Sequence, residues 1–219
     1  GSYVDVRARL NTGGTSAEYS YRLSIPGRHM VLNSLAALLS STLAGAEPER
    51  IAAGLSGFSG VRRRFEFKGL VEDGPFAGTR VYDDYAHHPT EVTAVLTAAR
   101  EKVESEGKGA RVVVCFQPHL YSRTQNFAQE FADALSLADV VMVLDIFGAR
   151  EAPVEDVTSR LITDKMDSSV PVVLEPNFLA VPVTLASMVR PGDVILTMGA
   201  GSVTMLADEI LAQLRQTEV

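Results

Sequence analysis

The stretch from Asp83 to Glu91, with the sequence DDYAHHPTE, concentrates side chains that bind ligands. It holds two carboxylates, a phenol and two imidazoles, and Pro89 and Glu91 mark the start of a helix. A carboxylate at a strand end can accept the hydroxyls of a ribose, and His and Tyr can hold a small polar substrate beside a helix N-terminus. The alternative is that Asp83 or His88 caps the helix. Five polar groups together favour a ligand-binding loop.

A second polar segment, from Gln117 to Thr124, follows the apolar run from Val112 to Phe116. In open parallel sheets, ligands bind beyond the carboxyl ends of the strands, so this segment is a second candidate site. It contains His119 and Arg123, and the guanidinium fork of an arginine suits a carboxylate or a phosphate. The alternative is a salt bridge in the first turn of a helix.

Three further motifs give weaker signals. The run from Arg62 to Arg64 places three positive charges in an acidic chain, which is typical of an anion contact or of a solvated surface. His29 and Asn33 lie one helical turn apart, and an Asn side chain can both donate to and accept from a base such as adenine. The glycine loop from Gly199 to Ser202 resembles part of a phosphate-binding loop, although a tight strand-to-helix turn requires glycine anyway.

Composition excludes several classes of protein. The chain has 219 residues, a formal net charge of -7 and 46% hydrophobic residues. An acidic chain is not a general binder of nucleic acid or membrane surfaces, because either needs a basic face. No apolar run approaches the roughly 20 residues that span a bilayer, so we expect a soluble, cytoplasmic protein. The one cysteine, Cys115, lies in an apolar run and is interpreted as a buried strand residue rather than a reactive thiol.

From about residue 60 onward, apolar strands alternate with helices of 10 to 18 residues. This pattern predicts an α/β, Rossmann-like domain over 60–219, with a mostly parallel sheet and helices on both faces. The predicted strands cover 64–72, 78–84, 111–117, 140–144, 171–174 and 194–198. The predicted helices cover 89–106, 122–138, 155–167, 178–189 and 201–216.

Residues 1–59 predict a smaller unit. Two alternating runs, 3–11 and 16–24, flank the turn residues from Asn11 to Gly14 and predict a hairpin. Pro26 breaks the pattern, and helices are predicted over 28–43 and after Pro48. This core is thin for an independent domain, so we expect the tail of a preceding domain. Gly1 and Ser2 resemble the scar of a cleaved tag, which predicts that the chain is a fragment.

Five segments together resemble the Mur ligase family. They are PGRHMVLNSLAAL at 26–38, GVRRRFE at 60–66, DDYAHHPTEV at 83–92, FQPHLYSRT at 116–124 and LTMGAGSV at 196–203. The resemblance implies an ATP-dependent, ADP-forming ligase of peptidoglycan precursor synthesis, built from a UDP-sugar domain, a central ATPase domain and a C-terminal Rossmann-like domain. Residues 1–59 would end the central domain, and 60–219 would form the C-terminal domain.

The resemblance also implies the reaction, which joins L-alanine to UDP-N-acetylmuramate through an acyl phosphate. ATP and Mg²⁺ would be required, but the sequence contains no G-x-x-x-x-G-K-[ST] loop, so the P-loop and the metal ligands are expected outside this chain. We therefore expect the chain alone to be inactive. The alternatives are the related ligase that adds a recycled tripeptide to the same sugar, or a nucleotide-binding module without catalysis. Tyr85 and Glu91 match the alanine-adding pattern better.

On the nucleotide side, the resemblance assigns four residues and no metal ligand. His29 and Asn33 would contact adenine, and Asp84 would bind the ribose hydroxyls. Arg64 would approach the ATP phosphates and act in catalysis, because it neutralises charge that develops in phosphoryl transfer.

On the amino-acid side, Tyr85, His87 and Arg123 would surround L-alanine, with His119 beside them. Arg123 would pair with the substrate carboxylate, and His87 is the second catalytic candidate. Some family members carry an arginine at the position of Leu120, so this chain retains one guanidinium of a pair.

Overall fold

The computed structural model describes residues 3–12, 14–25, 27–107 and 109–216. The chain separates into a first unit that ends at Val61 and a second unit that begins at Arg62. The predicted boundary lies two residues earlier, between 59 and 60. The dipeptide Gly1-Ser2, the turn residue Gly13 and the predicted break at Pro26 lie outside the described residues.

The first unit is an antiparallel hairpin followed by two helices. Strand side chains alternate between two faces, so Val6 and Ala8 of the first strand lie buried on the face that also carries Tyr21. Leu38 of the first helix is fully buried against this face, and the Tyr21 hydroxyl lies 2.8 Å from that of Ser34. The elements are β1 (Val4–Thr12), β2 (Thr15–Leu23), α1 (Arg28–Leu43) and α2 (Pro48–Ser56).

The second unit contains a six-stranded sheet. Its strands are β3 (Glu66–Leu70), β4 (Arg80–Asp84), β5 (Val112–Phe116), β6 (Val140–Leu144), β7 (Val172–Glu175) and β8 (Val194–Met198). Their order across the sheet is β3-β4-β8-β5-β6-β7. The pair β3 and β4 is antiparallel, and the other four pairs are parallel. This arrangement confirms the mostly parallel sheet that the sequence predicts.

Helices cover both faces of this sheet, which confirms the predicted layers. Val114 and Phe116 of β5 pack into one core with the helices Pro89–Glu106 and Ala128–Leu135. Val113 and Cys115 pack into the opposite core with the helices Val181–Ala186 and Leu206–Gln216. Cys115 is fully buried, and burial raises the pKa of its thiol to about 12. The helices are α3 (Pro89–Glu106), α4 (Tyr121–Asn126), α5 (Ala128–Leu135), α6 (Arg160–Thr163), α7 (Val181–Ala186) and α8 (Leu206–Gln216).

Four predicted helices differ from the structure. The helix predicted over 122–138 is broken at Phe127, and the one predicted over 155–167 is reduced to α6. The helices predicted over 178–189 and 201–216 each begin with a 3-10 turn, Phe178–Ala180 and Ser202–Met205. Helical spacing of apolar residues cannot distinguish a continuous helix from two helices that pack on the same core. No helix in the described part of the chain is long and apolar enough to cross a membrane.

Asp193 directly precedes β8, and its carboxylate binds Arg111, which directly precedes β5. It is 2% exposed and accepts hydrogen bonds from Arg111 Nη2 at 2.6 Å and from the Arg190 backbone N–H at 2.8 Å. We expect Asp193→Asn to lower the free energy of unfolding by roughly 2–4 kcal/mol, because the amide loses the charge and one acceptor oxygen.

Urea denaturation of the variant tests this expectation, with Asp164→Asn at an exposed position as the control. The control should change the free energy of unfolding by less than about 0.5 kcal/mol. An equally small change for Asp193→Asn would contradict the expectation.

Candidate functional site

The carboxyl ends of β4, β8 and β5 lie at the same level. Asp84 and Phe116 both pair with Met198 of the strand between them. Two further hydrogen bonds continue the ladder, from Gln117 N–H to the Met198 carbonyl at 2.9 Å and from Gly199 N–H to the Asp84 carbonyl at 3.1 Å. The loops that follow these three strands are therefore neighbours, and they form the candidate site.

Four residues that are predicted to surround an amino acid come together at this edge of the sheet. They are Tyr85, His87, His119 and Arg123. The Tyr85 and His87 rings are 5.0 Å apart, and the His87 and His119 rings are 5.7 Å apart, both edge to face. Arg123 Nη1 lies 3.4 Å from the His87 carbonyl oxygen and 3.4 Å from His119 Nδ1. Each of the four side chains is only partly buried, so the cluster is open to a ligand.

The hydrogen-bond partners determine the tautomers of the two imidazoles. His87 Nδ1 lies 2.9 Å from the Tyr85 carbonyl oxygen, which can only accept, so Nδ1 carries the proton and Nε2 of the neutral ring is an acceptor. His119 Nδ1 faces the Arg123 guanidinium, which can only donate, so the proton of His119 is on Nε2. The two rings therefore offer opposite functions, a proton acceptor and a hydrogen-bond donor.

The environment of His119 disfavours the imidazolium. Burial lowers the pKa of His119, and the positive charge of Arg123 lowers it further, with smaller effects from His87 and Arg150. The Glu151 carboxylate opposes them. His119 accordingly loses its proton at a lower pH than an ordinary histidine does.

The loop from Asp83 to Glu91 also leads into α3. The structure agrees with the alternative interpretation for His88, which is the N-cap of this helix. The His88 ring accepts from the Thr90 N–H at 3.4 Å, and Glu91 Oε2 accepts from the His88 N–H at 3.3 Å, which forms a capping box. Glu91 Oε2 also accepts from the His87 N–H at 3.0 Å. His88 and Glu91 are therefore structural, and they orient the backbone that carries Tyr85 and His87.

Two guanidiniums lie over the Tyr85 ring. Arg63 is 4.8 Å and Arg64 is 5.5 Å from its centre, which are cation-π distances. Arg64, predicted to approach ATP phosphates, is exposed. Arg63 is the more constrained of the two, because its backbone has a φ of 60° and its carbonyl accepts from the Tyr85 N–H at 2.7 Å. The sequence gives no signal that separates Arg63 from its two neighbours.

Arg63 also binds the glycine loop that follows β8. Its Nη2 donates to the Gly199 carbonyl at 2.6 Å, and its Nε lies 3.4 Å from the fully buried carboxylate of Asp83. A Cβ on Gly199 would lie 2.7 Å from the Gln117 carbonyl oxygen, and the φ of 146° at Gly199 also favours glycine. The loop is thus built for close packing, which supports the structural interpretation rather than a phosphate-binding loop.

Asp84, predicted to bind ribose hydroxyls, is engaged with the backbone in this structure. The residue is 2% exposed, and its carboxylate oxygens accept from the Phe65 N–H at 2.7 Å and the Ala86 N–H at 2.7 Å. Both oxygens therefore hold backbone at the base of the site, and neither is presented to a ribose. This geometry gives Asp84 a role in positioning Tyr85 and its neighbours, and its assignment to a ribose stays a prediction.

His29 and Asn33, predicted to contact adenine, belong to the first unit. They lie on α1, four residues apart, so their side chains share one side of the helix. Asn33 is exposed and His29 is partly exposed. Their assignment to adenine stays a prediction.

Burial raises the pKa of Asp84 from 3.8 to about 6, against the lowering effect of its two backbone donors. Between about pH 4 and 6 the folded protein therefore holds a proton that the unfolded chain has released. The contribution of Asp84 to the free energy of unfolding consequently falls as the pH rises through this window.

A carbon-13 titration of the Asp84 carboxyl group should have its midpoint near pH 6. The stability advantage of the native chain over Asp84→Asn should also shrink between pH 4 and pH 7. A midpoint below pH 4 would show that the backbone donors outweigh burial.

The sequence of this chain matches a known protein family and several curated relatives. The family described as "Mur ligase, glutamate ligase domain" matches residues 63–201. The UDP-N-acetylmuramate--L-alanine ligase of Mycobacterium sp. (strain JLS) is 53% identical over 208 residues, which are 95% of this chain and 41% of that relative. The chain thus spans about two fifths of the length of the curated relatives it matches.

Two solved structures share the fold. The UDP-N-acetylmuramate-alanine ligase MurC of Thermotoga maritima has a TM-score of 0.71 and 28% identity, over 89% of this chain and 40% of that chain. A murein peptide ligase of Psychrobacter arcticus has a TM-score of 0.67 and 23% identity, over 93% of this chain and 40% of that chain, which shows the fold alone. The family match covers more than half of the chain and includes the candidate site. The chain therefore belongs to the Mur ligase family.

Proposed function

We propose that this chain is the C-terminal portion of an ATP-dependent ligase that joins L-alanine to UDP-N-acetylmuramate. Residues 1–59 would end the central ATPase domain, and residues 60–219 would form the C-terminal domain. The observation that carries the proposal is the cluster of Tyr85, His87, His119 and Arg123 at the carboxyl ends of β4 and β5. The 53% identity to a relative named as an L-alanine ligase supports the choice of substrate.

The reaction needs an activated carboxylate, because a free carboxylate is a poor acylating agent. ATP would phosphorylate the muramyl carboxylate to an acyl phosphate, and the alanine amine would attack its carbonyl carbon. The tetrahedral intermediate would then expel phosphate and leave the amide. ADP and phosphate are the products that balance the reaction.

In this scheme the second unit binds and orients the amino acid. Arg123 pairs with the alanine carboxylate, and the Nε2–H of His119 donates a further hydrogen bond. Nε2 of His87 accepts the proton that the ammonium group must lose before it can attack. Tyr85 forms one side of the same cluster. Arg64, whose guanidinium lies over the Tyr85 ring, would stabilise the negative charge that develops on the phosphate.

The nucleotide half of the site is proposed to lie mostly outside this chain. His29 and Asn33 would contact adenine, but the 219 residues contain no P-loop. Among the described residues, no three His, Cys, Asp or Glu side chains come together as a metal site. The ligands for Mg²⁺ are expected on the part of the ligase that lies outside this chain.

The proposed ion pair between Arg123 and the alanine carboxylate is tested by Arg123→Ala in the full-length ligase. The Michaelis constant for L-alanine should rise roughly 10- to 100-fold, because charge-assisted hydrogen bonds worth about 1.5–3 kcal/mol are lost. Arg123→Lys should give a smaller rise, since it keeps the charge and loses the fork. Steady-state kinetics with varied L-alanine provide the measurement.

Arg160→Ala, at an exposed position of α6, is the matched control and should leave the kinetic constants unchanged. An unchanged Michaelis constant for L-alanine in Arg123→Ala would overturn the assignment of this cluster to the amino acid. A preference for a tripeptide over L-alanine in the native enzyme would favour the related recycling ligase.

The isolated 219-residue chain separates this proposal from a nucleotide-binding module without catalysis. We expect isothermal titration with ATP to show no micromolar affinity, because the phosphates have no P-loop to hold them. We also expect no product when the chain is mixed with UDP-N-acetylmuramate, L-alanine and ATP. Micromolar affinity for ATP would favour the module instead.

A further inference from the structure

Helix α4 carries Arg123 but does not cap its own first turn. It is six residues long, and its N-cap residue, Leu120, has a φ of 71° and forms no side-chain cap. The first N–H groups of a helix have no partners within the helix, so they need acceptors from elsewhere. An uncapped helix of this length would hold Arg123 loosely.

The missing acceptor comes from the loop that follows β6. Glu151 Oε2 accepts from the Ser122 N–H at 2.9 Å, and Glu151 Oε1 accepts from the Ser122 hydroxyl. These bonds lower the pKa of Glu151, with the Ser122 hydroxyl as the largest cause, so the carboxylate is charged at neutral pH. A carboxylate at this end of a helix also interacts favourably with the helix dipole.

Backbone and ring contacts hold the same two loops together. The Leu120 N–H donates to the Phe147 carbonyl at 2.9 Å, and the Phe147 N–H donates to the Pro118 carbonyl at 2.8 Å. The Phe147 ring stacks on His119 with the centres 5.8 Å apart. At Gly148, a Cβ would lie 2.7 Å from the Tyr121 ring, which requires glycine for this close approach. The loop after β6 thus contacts every residue from Pro118 to Ser122.

We propose that Glu151 is a positioning residue, which caps α4 from the loop after β6 and thereby holds His119 and Arg123 in the geometry that binds a substrate carboxylate. The inference rests on the proposed function, because that function supplies the carboxylate. Glu151 itself touches neither substrate nor reacting atoms in this scheme. Its effect passes through Ser122, which directly precedes Arg123.

The kinetic test compares Glu151→Ala and Glu151→Gln in the full-length ligase. The Michaelis constant for L-alanine should rise roughly tenfold in Glu151→Ala, whereas kcat should change by less than about twofold. Glu151→Gln should recover part of the loss, because its amide oxygen can still accept from the Ser122 N–H. Glu155→Gln is the control, since it removes the same charge from an exposed position in the same loop.

A structural measurement on the 219-residue chain completes the test. Hydrogen exchange of the Ser122 amide, followed by NMR, should speed up at least tenfold in Glu151→Ala and stay unchanged in Glu155→Gln. Unchanged exchange would overturn the cap, and faster exchange with an unchanged Michaelis constant would overturn the positioning role. If Arg123→Ala also leaves that constant unchanged, the proposed function has failed instead.

Discussion

The candidate site depends on the level carboxyl ends of three neighbouring strands. Asp84 and Phe116 pair with the same residue, Met198, so the carboxyl ends of β4, β5 and β8 are aligned. Residues far apart in sequence, such as Tyr85 and His119, therefore become neighbours without a long loop. A shift of one residue in either pairing would turn the strand's side chains to the other face and separate the loops. The two buried cores hold this register, because each strand contributes to both.

Local signals explain which elements the sequence predicts well. The bounds of α3, β6 and β8 agree with the prediction, because Pro89 marks one start and continuous apolar runs mark the two strands. The break between α4 and α5 has no local signal. It occurs at Phe127, whose ring packs 5.1 Å from the ring of His88. That contact joins segments that the sequence presents separately, so apolar spacing alone predicts one continuous helix.

The site shows the same division between local and tertiary causes. Tyr85 and His87 lie just after β4, and His119 and Arg123 lie in the polar segment after the apolar run of β5. These positions identify them as candidates in the sequence. The sequence does not single out Phe147 or Glu151, because they act through contacts between loops. It also does not separate Arg63 from Arg62 and Arg64, because its role depends on a left-handed backbone. The hydrogen-bond partners of a buried carboxylate also cannot be predicted from the local sequence. Asp84 resembles a ribose ligand in sequence, but its oxygens hold two backbone N–H groups.

The parallel bridge between His119 and Phe147 extends the sheet by one step into the binding loops. Folding of the sheet therefore orders these loops, and a ligand that bound there would not have to restrict their backbone. Less of the binding free energy is then opposed by conformational entropy. The same bridge fixes the number of residues that each loop needs. An extra residue between β5 and His119, or between β6 and Phe147, would move the two rings out of their stacked position.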